Sequence, residues 1–111
     1  MPMHVADVGE ALLARARGTR QTVLLESGPW EQALLRVDTG DHWRMNAEPG
    51  GLQLLVLEGM ATLACTSLRE TLGPGHLAIF DGGEEVEVIN DGDQPFLALL
   101  TQHLDSELED L

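Results

Sequence analysis

Glycine-containing turns divide most of this chain into short apolar segments. The turns recur at the roughly 8–12-residue spacing that is typical of β-sandwiches and barrels. Nearly every turn carries a glycine, which tolerates the positive φ angles that tight turns require. The spacing therefore predicts an all-β domain. Its expected strands are residues 22–26, 31–37, 52–57, 60–68, 76–80, 84–89 and 96–103.

One of these segments shows the alternation of a strand with a single buried face. In residues 84–89, Val86 and Val88 are separated by Glu85 and Glu87. Successive side chains of a strand point to opposite faces of the sheet. We therefore expect the two valines to face the core and the two glutamates to face water.

The two ends of the chain differ from this central region. Residues 6–16 place Val8, Leu12 and Leu13 among alanines in a short helical pattern, and Gly18 is a plausible helix cap. Residues 105–111 form a short acidic tail. With 111 residues the chain has room for one core. We divide it into an N-terminal helix or extension (1–21), a barrel (22–104) and the tail (105–111).

Charge and cysteine content narrow the classes of partner. Nineteen acidic and six basic residues give a net charge of −13, and no basic cluster interrupts them. Nucleic acid and anionic membranes are therefore excluded as expected partners. The single cysteine, Cys65, cannot form an internal disulfide. Because we find neither a signal-peptide pattern nor an apolar run of about 18 residues, we expect a cytoplasmic protein.

The stretch from Gly40 to Gly59 resembles the first motif of the cupin family. That motif is a glycine, five residues, His-x-His, three or four residues, a glutamate, six residues and a glycine. Laid on this chain, it has glycines at Gly40 and Gly59. The two histidine positions hold Asn46 and Glu48, and the glutamate position holds Leu52. The glycine frame matches, but the metal ligands do not.

A second stretch, Gly75 to Asn90, is similar to the second cupin motif. That motif is a glycine, five residues, Pro-x-Gly, two residues, a histidine, three residues and an asparagine. Gly75, Gly83 and Asn90 match it, whereas Asp81 stands in the proline position and Val86 in the histidine position. The frame is again present and the ligand again absent.

The resemblance covers roughly residues 22–104 and implies a double-stranded β-helix, that is, a jelly-roll barrel of about eight strands. Catalytic cupins bind a transition metal through imidazoles and a carboxylate. Leu52 and Val86 have no lone pair to offer, so the sequence predicts no metal site and no cofactor. Small cupins commonly pair through an edge strand, which implies a homodimer.

The candidate ligand pocket consists of the former metal positions and their rim. Residues two apart in a strand share a face, which makes His42 a candidate to join Asn46 and Glu48 at the barrel mouth. A surface histidine is the alternative, and it is favoured because His42 lies four residues along the strand from the usual site. Trp43 is a candidate for the pocket rim or for packing. The set is His42, Trp43, Asn46, Glu48, Leu52 and Val86.

Three functions remain open. The first is a metal-free, non-catalytic cupin that binds a small molecule in the barrel or acts as a regulatory or interaction module. The second is a divergent metal-dependent enzyme, isomerase or dioxygenase-like, that uses His42, Asn46 and Glu48. The third is a structural relic with a packed barrel.

Overall fold

The chain folds into two antiparallel β-sheets that face each other. This computed structural model describes residues 18–66 and 68–103, and within these ranges it has nine strands and no helix. The all-β architecture predicted from the turn spacing is confirmed. The strands are β1 (Arg20–Ser27), β2 (Trp30–Val37), β3 (His42–Asn46), β4 (Leu52–Glu58), β5 (Ala61–Ala64), β6 (Arg69–Leu72), β7 (Leu77–Phe80), β8 (Glu85–Ile89) and β9 (Phe96–His103).

The strand order is that of a jelly roll. The five-stranded sheet has the order β1-β2-β9-β4-β7, and the four-stranded sheet has the order β3-β8-β5-β6. From β2 to β5 the chain passes from one sheet to the other at each turn, which makes the two sheets the walls of one barrel. β6 and β7 are consecutive in sequence, yet each forms the edge of a different sheet.

Alternate residues of each strand fill the space between the sheets. Leu54 of β4 lies opposite Leu100 of β9, and Leu63 of β5 lies opposite Val88 of β8. All four are at most 4% exposed. Val86 is fully buried while Glu85 is exposed, which confirms the alternation predicted for β8. Close packing of these branched side chains supplies the hydrophobic stabilisation of the fold.

Two strand boundaries differ from the prediction. The segment 60–68 is not one strand, because the chain turns between Cys65 and Leu68, whose N–H and C=O groups bond to each other. This turn contains no glycine, so the pattern of glycine-containing turns did not predict a strand boundary here. β3 was not among the expected strands, although its residues alternate between half-buried and exposed. The predicted N-terminal helix and the acidic tail lie outside the described residues, except that β1 begins at Arg20.

Asn90 ties three segments together beneath the surface. Its side chain is fully buried; Nδ2 donates to the carbonyl oxygens of Val37 (3.0 Å) and Gln94 (2.9 Å), and Oδ1 accepts from the Gly92 N–H (3.0 Å). Its backbone carbonyl also accepts from the Gly40 N–H at 2.7 Å. The end of β8 is thereby joined to the end of β2 and to the turns beside it. This structural role explains an asparagine here without any catalytic task.

Two glycines permit close approach of neighbouring loops. Gly59 has φ of +79°, and a Cβ there would overlap the Pro95 carbonyl oxygen. A Cβ on Gly82 would overlap the carbonyl oxygen of Pro49. The turn after β7 therefore lies directly against the loop after β3, which closes one end of the barrel.

Candidate functional site

The two polar candidates on β3 lie on the solvent side of the four-stranded sheet. His42 and Asn46 are exposed, whereas Trp43 and Met45, between them in sequence, pack against the core. The prediction that His42 and Asn46 share a face holds, but that face points away from the barrel. The apolar side chains occupy the inner face because burying them lowers the free energy more than burying an imidazole and an amide.

His42 belongs to a surface group of charged residues. Its Nδ1 lies 3.2 Å from Glu87 Oε2, and Arg44 Nε lies 3.3 Å from the same oxygen. Desolvation acts to raise the pKa of Glu87, but Arg44 and His42 outweigh it and hold the pKa below its ordinary value. His42 thus contacts Glu87 on the solvent-facing side of the sheet instead of contributing to a site inside the barrel.

Leu52 and Val86 close the position where cupins hold a metal. Both are buried in the core, at 1% and 0% exposure. Leu52 pairs with Phe80 and with Gln102, so neighbouring positions on both adjacent strands are filled. These side chains do not fit a metal ion, because hydrocarbon supplies no ligand. Among residues 18–66 and 68–103, no three His, Cys, Asp or Glu side chains converge on a point suited to a metal ion.

Glu48 is half-buried and lies near an acidic group at one end of the barrel. The pKa of Glu31 is raised, first by desolvation and then by Glu26, with a smaller contribution from Glu48, while a bond with Gln102 opposes the rise. Gln102 is itself buried, and its Oε1 has no hydrogen-bond partner in the described part of the chain. This end of the barrel therefore contains three neighbouring glutamates and a buried amide oxygen that accepts no hydrogen bond from the described residues.

The two tryptophans have different surroundings. Trp43 is half-buried against the core cluster, opposite Val88, so packing is its observed role. Trp30 is 48% exposed and stacks edge-on against the His103 ring, with centroids 4.7 Å apart. His103 is buried, and its Nδ1 is unpartnered within the described residues.

A cavity lies between the two edge strands β6 and β7. Its volume is about 500 Å³. Because β6 and β7 end different sheets and do not pair, the sheets separate on this side of the barrel. The inner faces of β5, β6 and β7 give the cavity an apolar wall formed by Leu63, Leu72, Ala78 and Phe80.

Three carboxylates line the same cavity. Glu70 is on β6, and Asp81 and Glu84 are in the turn between β7 and β8. Glu84 Oε1 is buried and has no hydrogen-bond partner within the described ranges. Cys65, half-buried, lies beside them. We name the whole hollow the edge cavity.

The edge cavity was not predicted from the sequence. The candidate set omitted Glu70, Asp81 and Glu84. One signal was available: Glu84 precedes Val86 and Val88 by steps of two, so extending the strand alternation places it on the inner side. The gap between β6 and β7 depends on which sheet each strand joins, and no local pattern encodes that choice.

Comparison with known proteins gives matches among solved structures. No protein-family model and no curated protein matches the chain. A protein of unknown function from Rhizobium leguminosarum bv. viciae superposes with a TM-score of 0.78 at 21% identity, over 95% of this chain and 100% of that one. A cupin superfamily protein from Desulfitobacterium hafniense gives 0.74 at 18% identity, over 86% of this chain and 87% of its own.

A third match is a cupin-2 domain protein from Shewanella frigidimarina, with a TM-score of 0.73 and 14% identity over 89% of this chain and 94% of that chain. At such identities the likeness concerns the fold alone. In the described residues there is no helix that could cross a membrane. The strand order and these superpositions together show that the chain has the cupin fold, the double-stranded β-helix expected from its glycine spacing.

Proposed function

We propose that this chain is a metal-independent, non-catalytic binding module that takes a small molecule into the edge cavity, and that it serves a regulatory or interaction role. The observation that carries the proposal is the cavity itself. Its volume of about 500 Å³ is within the roughly 300–1,000 Å³ of ordinary ligand pockets. An apolar wall with a few convergent polar groups is the usual composition of such sites.

The surroundings of the former metal positions support a module without metal chemistry. Leu52 and Val86 are part of the core, and no observation favours the alternative of a metal-dependent enzyme that uses His42, Asn46 and Glu48. The small molecule would instead be held by packing and by hydrogen bonds to the cavity carboxylates. The cytoplasmic location expected from the sequence stays a prediction.

A thermal-shift screen with small acids, amines, sugars and apolar compounds tests the proposal. A molecule that binds only the folded state raises the unfolding free energy by about 2.7 kcal/mol at a concentration of 100 Kd. Ala78→Leu fills the cavity from its β7 wall and should abolish the shift. Ala64→Leu is the matched control, because Ala64 does not line the edge cavity and pairs with Arg69, across from it on β6.

Two results would contradict the proposal. If no compound shifts the melting temperature, a packed relic without a ligand is the better description. If protein purified without a histidine tag contains near-stoichiometric Fe, Mn, Ni or Zn that Glu48→Ala removes, a metal-dependent function replaces a metal-independent one.

We further propose that the module is a homodimer that packs through the outer face of the five-stranded sheet. Leu99 pairs with Leu55, and Leu55 with Leu77, so a row of half-buried to exposed leucines crosses β9, β4 and β7 on that face. The neighbouring row of Gln32, Thr101, Gln53 and Ile79 is also uncharged. In a chain of net charge −13, uncharged rows let two copies approach with the least repulsion.

Light scattering coupled to size-exclusion chromatography tests the dimer. Dimerisation should strengthen with salt, because screening weakens the repulsion between two acidic copies. Leu55→Glu, in the middle of the leucine row, should give a monomer. Val23→Glu is the control: Val23 is 49% exposed on the edge strand β1, so a monomer from this variant alone would indicate edge pairing instead.

A further inference from the structure

We infer that the molecule bound in the edge cavity is an amphipathic cation, a primary amine or similar ammonium group on an apolar body. The inference rests on the proposed function and adds the chemical class of the ligand. It follows from the juxtaposition of an apolar wall with three uncompensated carboxylates.

The carboxylates of the edge cavity have no cationic partner among the described residues. The ion pairs found there join Arg36 to Asp38 and Arg44 to Glu87, and His42 also contacts Glu87. None of them includes Glu70, Asp81 or Glu84. Glu70 and Asp81 are exposed and Glu84 is half-buried. The negative potential of three such groups raises the local concentration of cations and lowers that of anions. A carboxylate ligand, sulfate or phosphate is therefore disfavoured in this cavity.

Glu84 supplies the sharpest requirement. A buried acceptor that lacks a donor raises the free energy of the folded protein, by about 1–3 kcal/mol for a neutral group and more for a charged one. Its Oε1 is such an acceptor, closed off from solvent, so a head group in the cavity bonds to it only after the Glu84 side chain turns. An ammonium group has donors and a positive charge, and a charge-assisted bond to a carboxylate is roughly twice as strong as a neutral one. A neutral hydroxyl would satisfy the acceptor without compensating the charge.

The apolar wall requires the rest of the ligand to be hydrocarbon-rich. Leu63, Leu72, Ala78 and Phe80 offer no hydrogen bonds from their side chains, and contact with them stabilises a ligand in proportion to the apolar area removed from water. A bare metal ion would leave this wall uncovered, and the described carboxylates do not converge as a metal site. The ligand must therefore combine an apolar body with a cationic head.

Three compounds with one carbon skeleton separate these effects: phenylbutylamine, phenylbutanol and phenylbutyrate. Isothermal titration calorimetry of the full chain with each compound should give the tightest binding for the amine, about tenfold tighter than for the alcohol. The carboxylate should show no binding at millimolar concentration. Glu84→Gln should weaken binding of the amine roughly tenfold and leave binding of the alcohol unchanged. Glu58→Gln, the same charge change on an exposed residue outside the cavity, should alter neither.

The single cysteine reports where the amine binds. Cys65 lines the edge cavity and also a smaller hollow with Glu85 and Glu87, and the chain has no other thiol. Phenylbutylamine should slow the alkylation of Cys65 by iodoacetamide, and the protection should require a higher amine concentration in Glu84→Gln. The response of the protection to Glu84→Gln distinguishes the two hollows. Circular dichroism of each variant verifies that it is folded.

The outcomes distinguish the inference from the function on which it rests. If alcohol and amine bind equally and both protect Cys65, selection for a cation is wrong while small-molecule binding stands. Amine binding that neither protects Cys65 nor responds to Glu84→Gln lies elsewhere and overturns the inference. If calorimetry detects no binding of the three compounds and the thermal-shift screen finds no other ligand, both the inference and the proposed function fail.

Discussion

Replacing Asn90 with alanine should destabilise the barrel by about 3 kcal/mol. The substitution removes three side-chain hydrogen bonds from a fully buried position. Gly92 and Gln94 are exposed, so water can replace the asparagine for these two backbone groups at a small cost. Val37 is 0% exposed, so its carbonyl group stays unpaired, which costs about 1–3 kcal/mol. The lost packing of the side chain adds to this.

Urea unfolding followed by circular dichroism measures the loss of unfolding free energy. In a thermal scan, each kcal/mol lowers the melting temperature of a domain of this size by roughly 4–8 °C, so a loss of about 3 kcal/mol corresponds to about 12–24 °C. Asn90→Asp gives a second test with the shape preserved. Its carboxylate keeps the acceptor for Gly92 but faces the carbonyl oxygens of Val37 and Gln94 without a donor. Burial and these oxygens would raise the pKa of the new carboxyl group, so the deficit should be largest at neutral pH and shrink as the pH falls.

Asp91→Ala is the control, since Asp91 is the exposed next residue in the same loop. A loss of less than about 0.5 kcal/mol for Asn90→Ala, the range of ordinary surface substitutions, would refute the argument. It would mean that water replaces the buried amide and that Asn90 does not hold the loops together. A deficit in Asn90→Asp that is independent of pH would refute the assigned direction of the two Nδ2 bonds.

Three further predictions concern stability. The pKa of Glu31 is raised, mainly by desolvation and then by Glu26. Protonation of Glu31 therefore stabilises the fold fully at a pH below its ordinary pKa of 4.5. This contribution is lost as the pH rises through the shifted pKa. Glu31→Gln should therefore unfold at higher urea than the parent at pH 7 and at equal urea in acid; the reverse order would show that the carboxylate stabilises the fold. Gly82→Ala should lower the free energy of unfolding in urea by roughly 2–3 kcal/mol, because its Cβ would overlap the Pro49 carbonyl. Gly73→Ala is the control and should cost clearly less, since a Cβ there makes only ordinary contacts. Equal losses for the two variants would contradict the close approach of Gly82 to Pro49. Amide exchange should be faster in the edge strands β6 and β7 than in the central strand β9, and uniform protection would contradict the weak pairing of these edges.

Much of the fold was predictable because turns and alternation are local signals. The strands that contain Leu54 and Leu100 follow from apolar segments bounded by glycine turns, and the faces of Val86 and Val88 follow from the period of two. The turn between β5 and β6 has no glycine, so the sequence suggested one long strand. Sheet membership, which separates β6 from β7, depends on contacts between residues that are distant in sequence.

The candidate site was predictable only in part. Motif spacing identified Leu52 and Val86 as occupants of positions that hold metal ligands in cupins, and their burial in the core agrees with their apolar nature. Spacing also gave the shared face of His42 and Asn46, but not which side of the sheet that face would be. The apolar residues Trp43 and Met45, which lie between His42 and Asn46 in sequence, were the signal that the other face of the strand is the inner one. The edge cavity could not be predicted, since it arises from an absence of pairing between two strands.

The edge cavity lies at the margin of both sheets, and part of its wall belongs to the packed core. Two strands that each have only one neighbour supply much of that wall, while Leu63 and Phe80 are also members of the core cluster. Substitutions at the exposed Glu70 would reshape the hollow without opening the packed interior, whereas Leu72 packs against the core. Redesign of the hollow for a guest molecule should therefore begin at its exposed margin.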